Sequence, residues 1–157
     1  MSSGNGERLW DVALEVDSTT AIAGVAGVLA QADINISSIC SAGVGSPLTC
    51  HLLVDEPGGP AAALAAAGVA ARTRPVLVFQ LQNRPGTLAA VLAALNEAGA
   101  AVDLLYQATD RGLVIGADDL DTVAAAVAAS GRLTTDTTTA GAPPAGLGRG
   151  RPWIPDT

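Results

Sequence analysis

The first half of the chain alternates short apolar runs with longer stretches that have helical spacing. Residues 9–16 mix apolar and polar positions as a strand does, and apolar residues then recur every three or four positions from Ile22 to Ala32. The elements that follow are strands over 34–40 and 48–54, a helix over 57–67 and a strand over 69–74. The pattern therefore predicts the order β-α-β-β-α-β.

The same order of elements returns in the second half. A shift of 66 residues lays Ile22 on Leu88 and continues without a gap through the next strand. After the second hairpin the shift becomes 63, because that hairpin turn is shorter. These matches predict an internal duplication. The halves meet at 72–76 without a linker, which predicts a shared sheet or tightly docked halves.

One turn of the second half, between a strand over 76–81 and a helix that Gly99 ends, has a distinctive composition. It comprises Asn83, Arg84, Pro85, Gly86, Thr87 and Leu88, and we call it the 83–88 turn. Pro85 is predicted at the first helical position, which needs no amide donor. The amides of Gly86, Thr87 and Leu88 are then predicted to point out of the helix start, where a carboxylate binds without a cationic side chain.

Composition excludes several classes of function. The 157 residues are 49% hydrophobic, enough for a buried core, and a net charge of -7 argues against a nucleic-acid partner. All eight basic residues are arginines, so Schiff-base chemistry, a pyridoxal-phosphate anchor and a phosphate-loop lysine are excluded. No segment has the length of a membrane span, and the N-terminus does not resemble a secretory signal. We expect a soluble, cytoplasmic protein.

The two ends of the chain differ from its middle. Residues 1–7 are predicted to be a disordered leader, and residues 139–157 a Gly/Pro-rich tail in which Trp153 and Ile154 are the apolar exception. Between them, the duplication divides the chain into units over 8–74 and 75–138.

The 83–88 turn, the helix after it and the strand that begins at Val102 together resemble the ACT domain. That family carries Asp/Asn-x-Pro-Gly-x-Leu at this turn and Gly-x-Asn-Ile at the start of the second strand. In the first half, Asp33-Ile34-Asn35-Ile36 is similar to the second motif, whereas Thr19 and Thr20 replace the Pro-Gly pair. In the second half, Ala101 replaces the asparagine. The resemblance implies an α+β fold of two tandem ferredoxin-like βαββαβ units, with antiparallel sheets and helices on one face.

The resemblance also implies regulation by a bound amino acid or related small carboxylate, held at the seam between paired domains. Carried over by position, the 83–88 turn forms one wall and Asn35 the facing wall. The reciprocal seam would join Asp17 and Thr20 to Asp103, and it lacks both family motifs. We therefore expect one competent seam, with no cofactor, no metal and no catalytic residue. The residues could instead be structural, with Pro-Gly capping a helix and Asn35 bonding the hairpin.

Two other functions stay open at this point. A small enzyme of the isomerase, cyclase or lyase type would use the same cleft, with His51 as base and Asp103 or Tyr106 nearby, although no spacing of nucleophile and base supports it. A pure assembly module would bind no ligand. Asp118, Asp119 and Asp121 read as compensation of a helix dipole rather than a calcium loop.

Cys40 and Cys50 are predicted opposite one another in a hairpin, as reduced core thiols or a strained disulfide. Alternation places His51 on the other face from Cys50, so a zinc site is disfavoured. Alternation also places Ile39, Leu53 and Leu105 on the face away from the helices. Apolar residues there predict a second sheet as cover, and a homodimer with four ACT units would provide it.

Overall fold

A computed structural model describes residues 6–134 of the chain. Most of the predicted leader and the whole predicted tail lie outside this range, but Glu7, placed in the leader, begins the first strand. The elements are β1 (Glu7–Val16), α1 (Thr19–Gln31), β2 (Ser38–Ala42), β3 (Leu48–Val54), α2 (Gly59–Ala66), β4 (Arg72–Gln80), α3 (Thr87–Glu97), β5 (Val102–Gln107), a 3-10 turn (Thr109–Arg111), β6 (Gly112–Ala117) and α4 (Leu120–Ala129).

The six strands form one antiparallel sheet in the order β2-β3-β1-β4-β6-β5. β4 joins its two parts, because its first residues pair with β1 and its last residues pair with β6. The two strands predicted over 69–74 and 76–81 are therefore one strand, and the predicted boundary between residues 74 and 75 lies inside it. Pro75 is tolerated there because β4 has a hydrogen-bonded neighbour on one side only at that point.

Two hydrophobic clusters lie between the sheet and the helices. One joins β1 and β3 to α1 and α2, and the other joins β4 and β6 to α3 and α4. A third cluster lies on the helix-free face and contains Leu53 of β3 together with Tyr106 of β5. Three strands separate β3 from β5 in the sheet. The sheet must therefore curl, so that the helix-free side of its β3 end meets the helix-free side of its β5 end.

Leu53 lies on the helix-free face as predicted and is buried there. The prediction was wrong for Ile39 and Leu105. Residues that pair directly across two strands lie on the same face of the sheet. Ile39 pairs with Leu52 and Leu105 with Ile115, and both partners belong to helix-facing clusters. The helix-free face is covered by a sheet, as expected, but the cover comes from the same chain. Burial of this face therefore does not require a homodimer.

Candidate functional site

The 83–88 turn connects β4 to α3. Gly86 is the N-cap of α3 and adopts a left-handed conformation, with φ 85° and ψ -9°, which glycine alone adopts without strain. Pro85 consequently precedes the N-cap, and its predicted place at the first helical position was wrong. Gly86 turns the chain into the helix, and Thr87 is the first helical residue.

The start of α3 differs from the starts of α1 and α4 in its hydrogen bonding. Ser18 caps α1 by accepting from the Ala21 amide at 3.3 Å, and Asp119 caps α4 by accepting from two amides at 3.1 and 3.0 Å. In the described part of the chain, no side chain caps α3. The Thr87 amide donates to the Arg84 carbonyl at 3.2 Å, so one of the three amides predicted to be free is engaged.

Thr87 is the only buried member of this turn. Its exposure is 5%, and within residues 6–134 no group bonds its Oγ1. A buried hydroxyl without a partner calls for an explanation, such as a water or a ligand. The remaining five residues are exposed to solvent, namely Asn83, Arg84, Pro85, Gly86 and Leu88.

Asn35 is exposed and lies before β2, which begins at Ser38 rather than at residue 34. Pairing with β3 starts where the Ser37 amide donates to the Leu53 carbonyl at 2.8 Å. The carbonyl of Ser37 accepts from Thr109 Oγ1, also at 2.8 Å. The turn that contains Thr109 leads into Gly112, which pairs with Gln80 at the end of β4. This series of contacts brings the Asn35 segment to the end of the sheet that carries the 83–88 turn, although no hydrogen bond among residues 6–134 joins Asn35 to that turn directly.

The residues of the predicted reciprocal seam lie at the start of α1 and on β5, and its two aspartates have hydrogen-bond partners of their own. Asp17 and Thr20 are exposed at the start of α1, where Asp17 accepts from Ser18 Oγ at 2.9 Å. Asp103 instead accepts two hydrogen bonds from the Arg74 guanidinium, at 2.7 and 2.8 Å. These bonds lower the pKa of the Asp103 carboxyl and raise the pKa of Arg74. Asp103 is thus committed to an ion pair.

A buried polar cluster joins the two parts of the curled sheet, and sequence reasoning missed its central residue. Asp11 is fully buried and accepts from His51 Nδ1 at 3.0 Å and from the Tyr106 hydroxyl at 3.3 Å. Burial, followed by the charge of Asp11, raises the pKa of Tyr106 far above its ordinary value. The alternation of polar and apolar residues around Asp11 indicates that its side chain faces solvent. Nothing in the neighbouring sequence reveals that β5 covers this side chain.

The cysteines do not oppose one another. Cys40 pairs with His51, whereas Cys50 pairs with Ser41 and points to the helix-facing cluster. The predicted pairing was wrong by one residue, and both thiols are free. Burial raises the pKa of the Cys50 thiol. His51 lies on the face opposite Cys50, as predicted, and residues 6–134 contain no group of three potential metal ligands.

The sequence matches no family model and no curated protein. Solved structures with the same architecture include a Bacteroides thetaiotaomicron protein, at 23% identity and a TM-score of 0.68, covering 84% of this chain and 93% of that one. The regulatory subunit of aspartate kinase from Thermus thermophilus has 19% identity and a TM-score of 0.58, covering 80% of this chain and 93% of that one. The corresponding Thermus flavus subunit has 18% identity and a TM-score of 0.56, with coverage of 83% and 98%. The fold is ACT-like.

The ACT-like fold places the 83–88 turn at a strand-to-helix connection, as the motif requires. Asp118, Asp119 and Asp121 lie around the start of α4, where Asp119 is the cap. Hydrogen bonds from Thr122 lower the pKa of Asp119, in agreement with the predicted dipole compensation. Among residues 6–134, no helix has the length and apolar character needed to cross a membrane.

Proposed function

We propose that this protein is a regulatory amino-acid-binding protein built from two tandem ACT units, with the ligand at the seam between them. One observation carries the proposal: α3 starts at a left-handed glycine, and within residues 6–134 neither this helix start nor the buried Thr87 hydroxyl beside it has a side-chain partner. Helix-start amides bind carboxylates because partial positive charge accumulates there. The α-carboxylate of an amino acid meets this requirement.

Repeated local geometry supports the tandem arrangement. Asp33 and Gly99, 66 positions apart, both have positive φ, of 59° and 68°. Each follows a helix, and the next amide returns to the helix, from Ile34 to Leu29 at 2.9 Å and from Ala100 to Leu95 at 3.0 Å. Gly68 and Gly131, 63 positions apart, also share positive φ, of 77° and 65°. The two sequence shifts thus relate residues that share a backbone conformation.

The remaining ligand groups have partners of suitable chemistry on both walls of the seam. The amide oxygens of Asn83 and Asn35 would accept from the α-ammonium group, while the helix start takes the carboxylate. Arg84 adds a positive charge beside the carboxylate position. The Thermus structures with this fold are regulatory subunits of an enzyme, which agrees with a regulatory role here.

Contacts across the curled sheet offer a route for the signal. Thr109 bonds Ser37 near the proposed seam, and Tyr106 on the preceding strand bonds buried Asp11. A ligand that binds one arrangement of the two units more tightly shifts the population toward it. A homodimer and a cytoplasmic location are part of the proposal.

Calorimetric titration with the twenty amino acids tests the proposal. We expect at least one to bind, and Asn83→Ala to weaken its binding by about tenfold, or ~1.4 kcal/mol. Asn96→Ala is the matched control, because Asn96 is exposed on α3 away from the turn. Absence of binding by every amino acid, or equal effects of both variants, would contradict the proposal.

A small enzyme is the second candidate, because the Asp11 carboxylate orients His51 as a general base requires. Cys40 lies opposite His51 on the neighbouring strand. Complete burial of Asp11 and of most of the cluster favours a structural role instead. Turnover of a substrate that disappears in His51→Ala, with amino-acid binding retained, would favour the enzyme.

A further inference from the structure

The β1–β4 ladder opens in the first half of the chain at a place where the equivalent ladder of the second half is closed. In the second half, Leu81 pairs with Leu133, the Thr134 amide donates to the Gln80 carbonyl, and the Gln82 amide donates to the Arg132 carbonyl, both bonds at 2.9 Å. In the first half, pairing stops at Ala13 and Arg72. Among residues 6–134, no backbone hydrogen bond continues it to 14–16 and 69–71.

A cleft of about 940 Å³ occupies this place. One wall is the edge of β1 at Leu14–Val16, the other is the segment 69–71, and α1 lies over both. In the closed ladder, Gln80 and Gln82 direct their backbone groups to this side of β4, and the even residues of β4 pair with odd residues of β1. Glu15 is therefore the residue whose amide and carbonyl face the opening, and neither has a backbone partner across it among residues 6–134. The cleft therefore combines apolar walls with a backbone donor and acceptor, the usual composition of a binding site.

Gly24 lies inside α1 and lines the cleft. A Cβ built at this position meets no atom within 4 Å, so the space beyond it is open. The equivalent residue of α3, 66 positions later, is Ala90. Glycine inside a helix costs roughly 0.5–1 kcal/mol relative to alanine. Its presence here leaves room for a molecule to lie against the backbone of α1.

We propose that this cleft binds a short extended peptide with free termini, paired antiparallel to the edge of β1. The closed ladder of the second half indicates an extended backbone, because such a backbone fills the equivalent edge there. An antiparallel peptide has its N-terminus beside Glu15 and Asp17 and its C-terminus beside Arg72. All three side chains are exposed, and their charges oppose those of the termini. Arg72 pairs with Ala13, which is four residues before Asp17. A peptide of about four residues, at roughly 3.3 Å per residue, therefore spans the cleft from Asp17 to Arg72.

This site is separate from the seam of the 83–88 turn and Asn35, because none of those residues lines it; Asp17, which belongs to the predicted reciprocal seam, does line it. The peptide would gain backbone hydrogen bonds along the edge, as in other cases where a peptide adds a strand to a sheet. Its small apolar side chains would lie against Val25 and Val28 of α1.

Calorimetric titration with the peptide Ala-Val-Ala-Ala tests the inference. We expect the free peptide to bind, and its N-acetylated, C-amidated form to bind about tenfold more weakly, or ~1.4 kcal/mol, because both terminal charges are removed. We expect Arg72→Gln to weaken binding of the free peptide and to leave binding of the capped form unchanged. Equal binding of both forms would contradict the charge assignment and overturn the proposal.

Gly24→Leu fills the cleft and should abolish peptide binding. Gly27→Leu is the matched control, because Gly27 lies on the same helix, also faces open space and does not line the cleft. Both variants should fold, since leucine is a better helix former than glycine. Peptide binding retained in Gly24→Leu, or lost equally in both, would overturn the inference. A dimer that dissociates only in Gly24→Leu would identify a second copy as the occupant and would also overturn it.

Discussion

The Tyr106 hydroxyl donates a hydrogen bond to Asp11 Oδ1 at 3.3 Å, although two strands, β4 and β6, separate their strands in the sheet. This contact is possible only because the sheet curls and brings its helix-free faces together. Asp11 is fully buried, so the bond lies in a medium of low dielectric constant, where an unpaired carboxylate is costly. The contact therefore holds β5 against β1 and fixes the curl.

We expect Tyr106→Phe to lower the free energy of unfolding by about 1–3 kcal/mol, because buried Asp11 loses one of its two side-chain partners. Urea denaturation measures the change. A double-mutant cycle with Asp11→Leu provides the control, because without the carboxylate the hydroxyl has no acceptor to lose. A loss of the same size in both backgrounds would show that the effect does not come from this hydrogen bond.

The alkaline titration of Tyr106 tests the same contact independently. Its pKa is raised mainly by burial, whereas the unfolded chain has a tyrosine pKa of about 10. Above that pH only the unfolded state releases the proton, so stability is complete below about pH 10 and falls as pH rises further. Because Tyr106 is the only tyrosine, phenolate absorbance reports it alone. We expect the absorbance to rise together with unfolding, and a rise in the folded protein near pH 10 would contradict this.

The Arg74–Asp103 ion pair predicts an acid-side effect. The pKa of Asp103 is lowered, so the pair stabilises the fold above the unfolded-state pKa of about 3.9 and loses this contribution as pH falls through the lower folded-state value. Both side chains are partly exposed, so the contribution is below about 1 kcal/mol. Asp103→Asn should therefore flatten the fall of stability as pH drops below the unfolded-state pKa. Asp55→Asn, at an exposed aspartate, is the control; an equal change there would remove the explanation.

Gly116 makes room for the Arg74 guanidinium. A Cβ built at this glycine lies 2.5 Å from Arg74 Nη2 and 2.9 Å from Leu104 Cβ. Gly116→Ala should displace the guanidinium and break the bidentate geometry, with a loss of about 1–3 kcal/mol from overpacking. Repeating the substitution in the Asp103→Asn background separates the ion pair from the packing. Unchanged stability would show that Leu104 and Arg74 move aside freely.

The local hydrophobic pattern was sufficient to predict most of the helices and strands. Each element has its own spacing of apolar residues, and turn residues mark its ends. Gly68 and Gly99 follow helices in the left-handed conformation, as their positions after apolar stretches indicate. The continuous β4 was missed because Pro75 reads as a break, and only the tertiary pairing shows that β4 lacks one neighbour there.

Long-range contacts account for what the sequence did not reveal of the site. The position of Asp103 in a motif predicts a place in a ligand seam, and this stays a prediction. Its ion pair with Arg74 could not be predicted, because Arg74 lies within reach only once β4 and β5 are folded together. Asp11 gave no signal because its burial depends on β5, whose Tyr106 is 95 residues away in the sequence. A one-residue error in register was enough to misplace Cys40, Ile39 and Leu105, since side chains alternate between faces.

Thr87 offers the sharpest test of the proposed amino-acid site. Its hydroxyl is buried and has no partner among residues 6–134, so Thr87→Val should leave stability unchanged or raise it by up to about 1–3 kcal/mol. If the hydroxyl contributes to the ligand site, the same variant should bind the amino acid about tenfold more weakly, or ~1.4 kcal/mol. Thr73→Val is the matched control, because Thr73 Oγ1 is also buried with no partner in the described part of the chain but belongs to β4. A gain in stability with unchanged affinity in both variants would remove Thr87 from the site, whereas a loss of affinity in Thr87→Val alone would tie the unsatisfied hydroxyl to ligand binding.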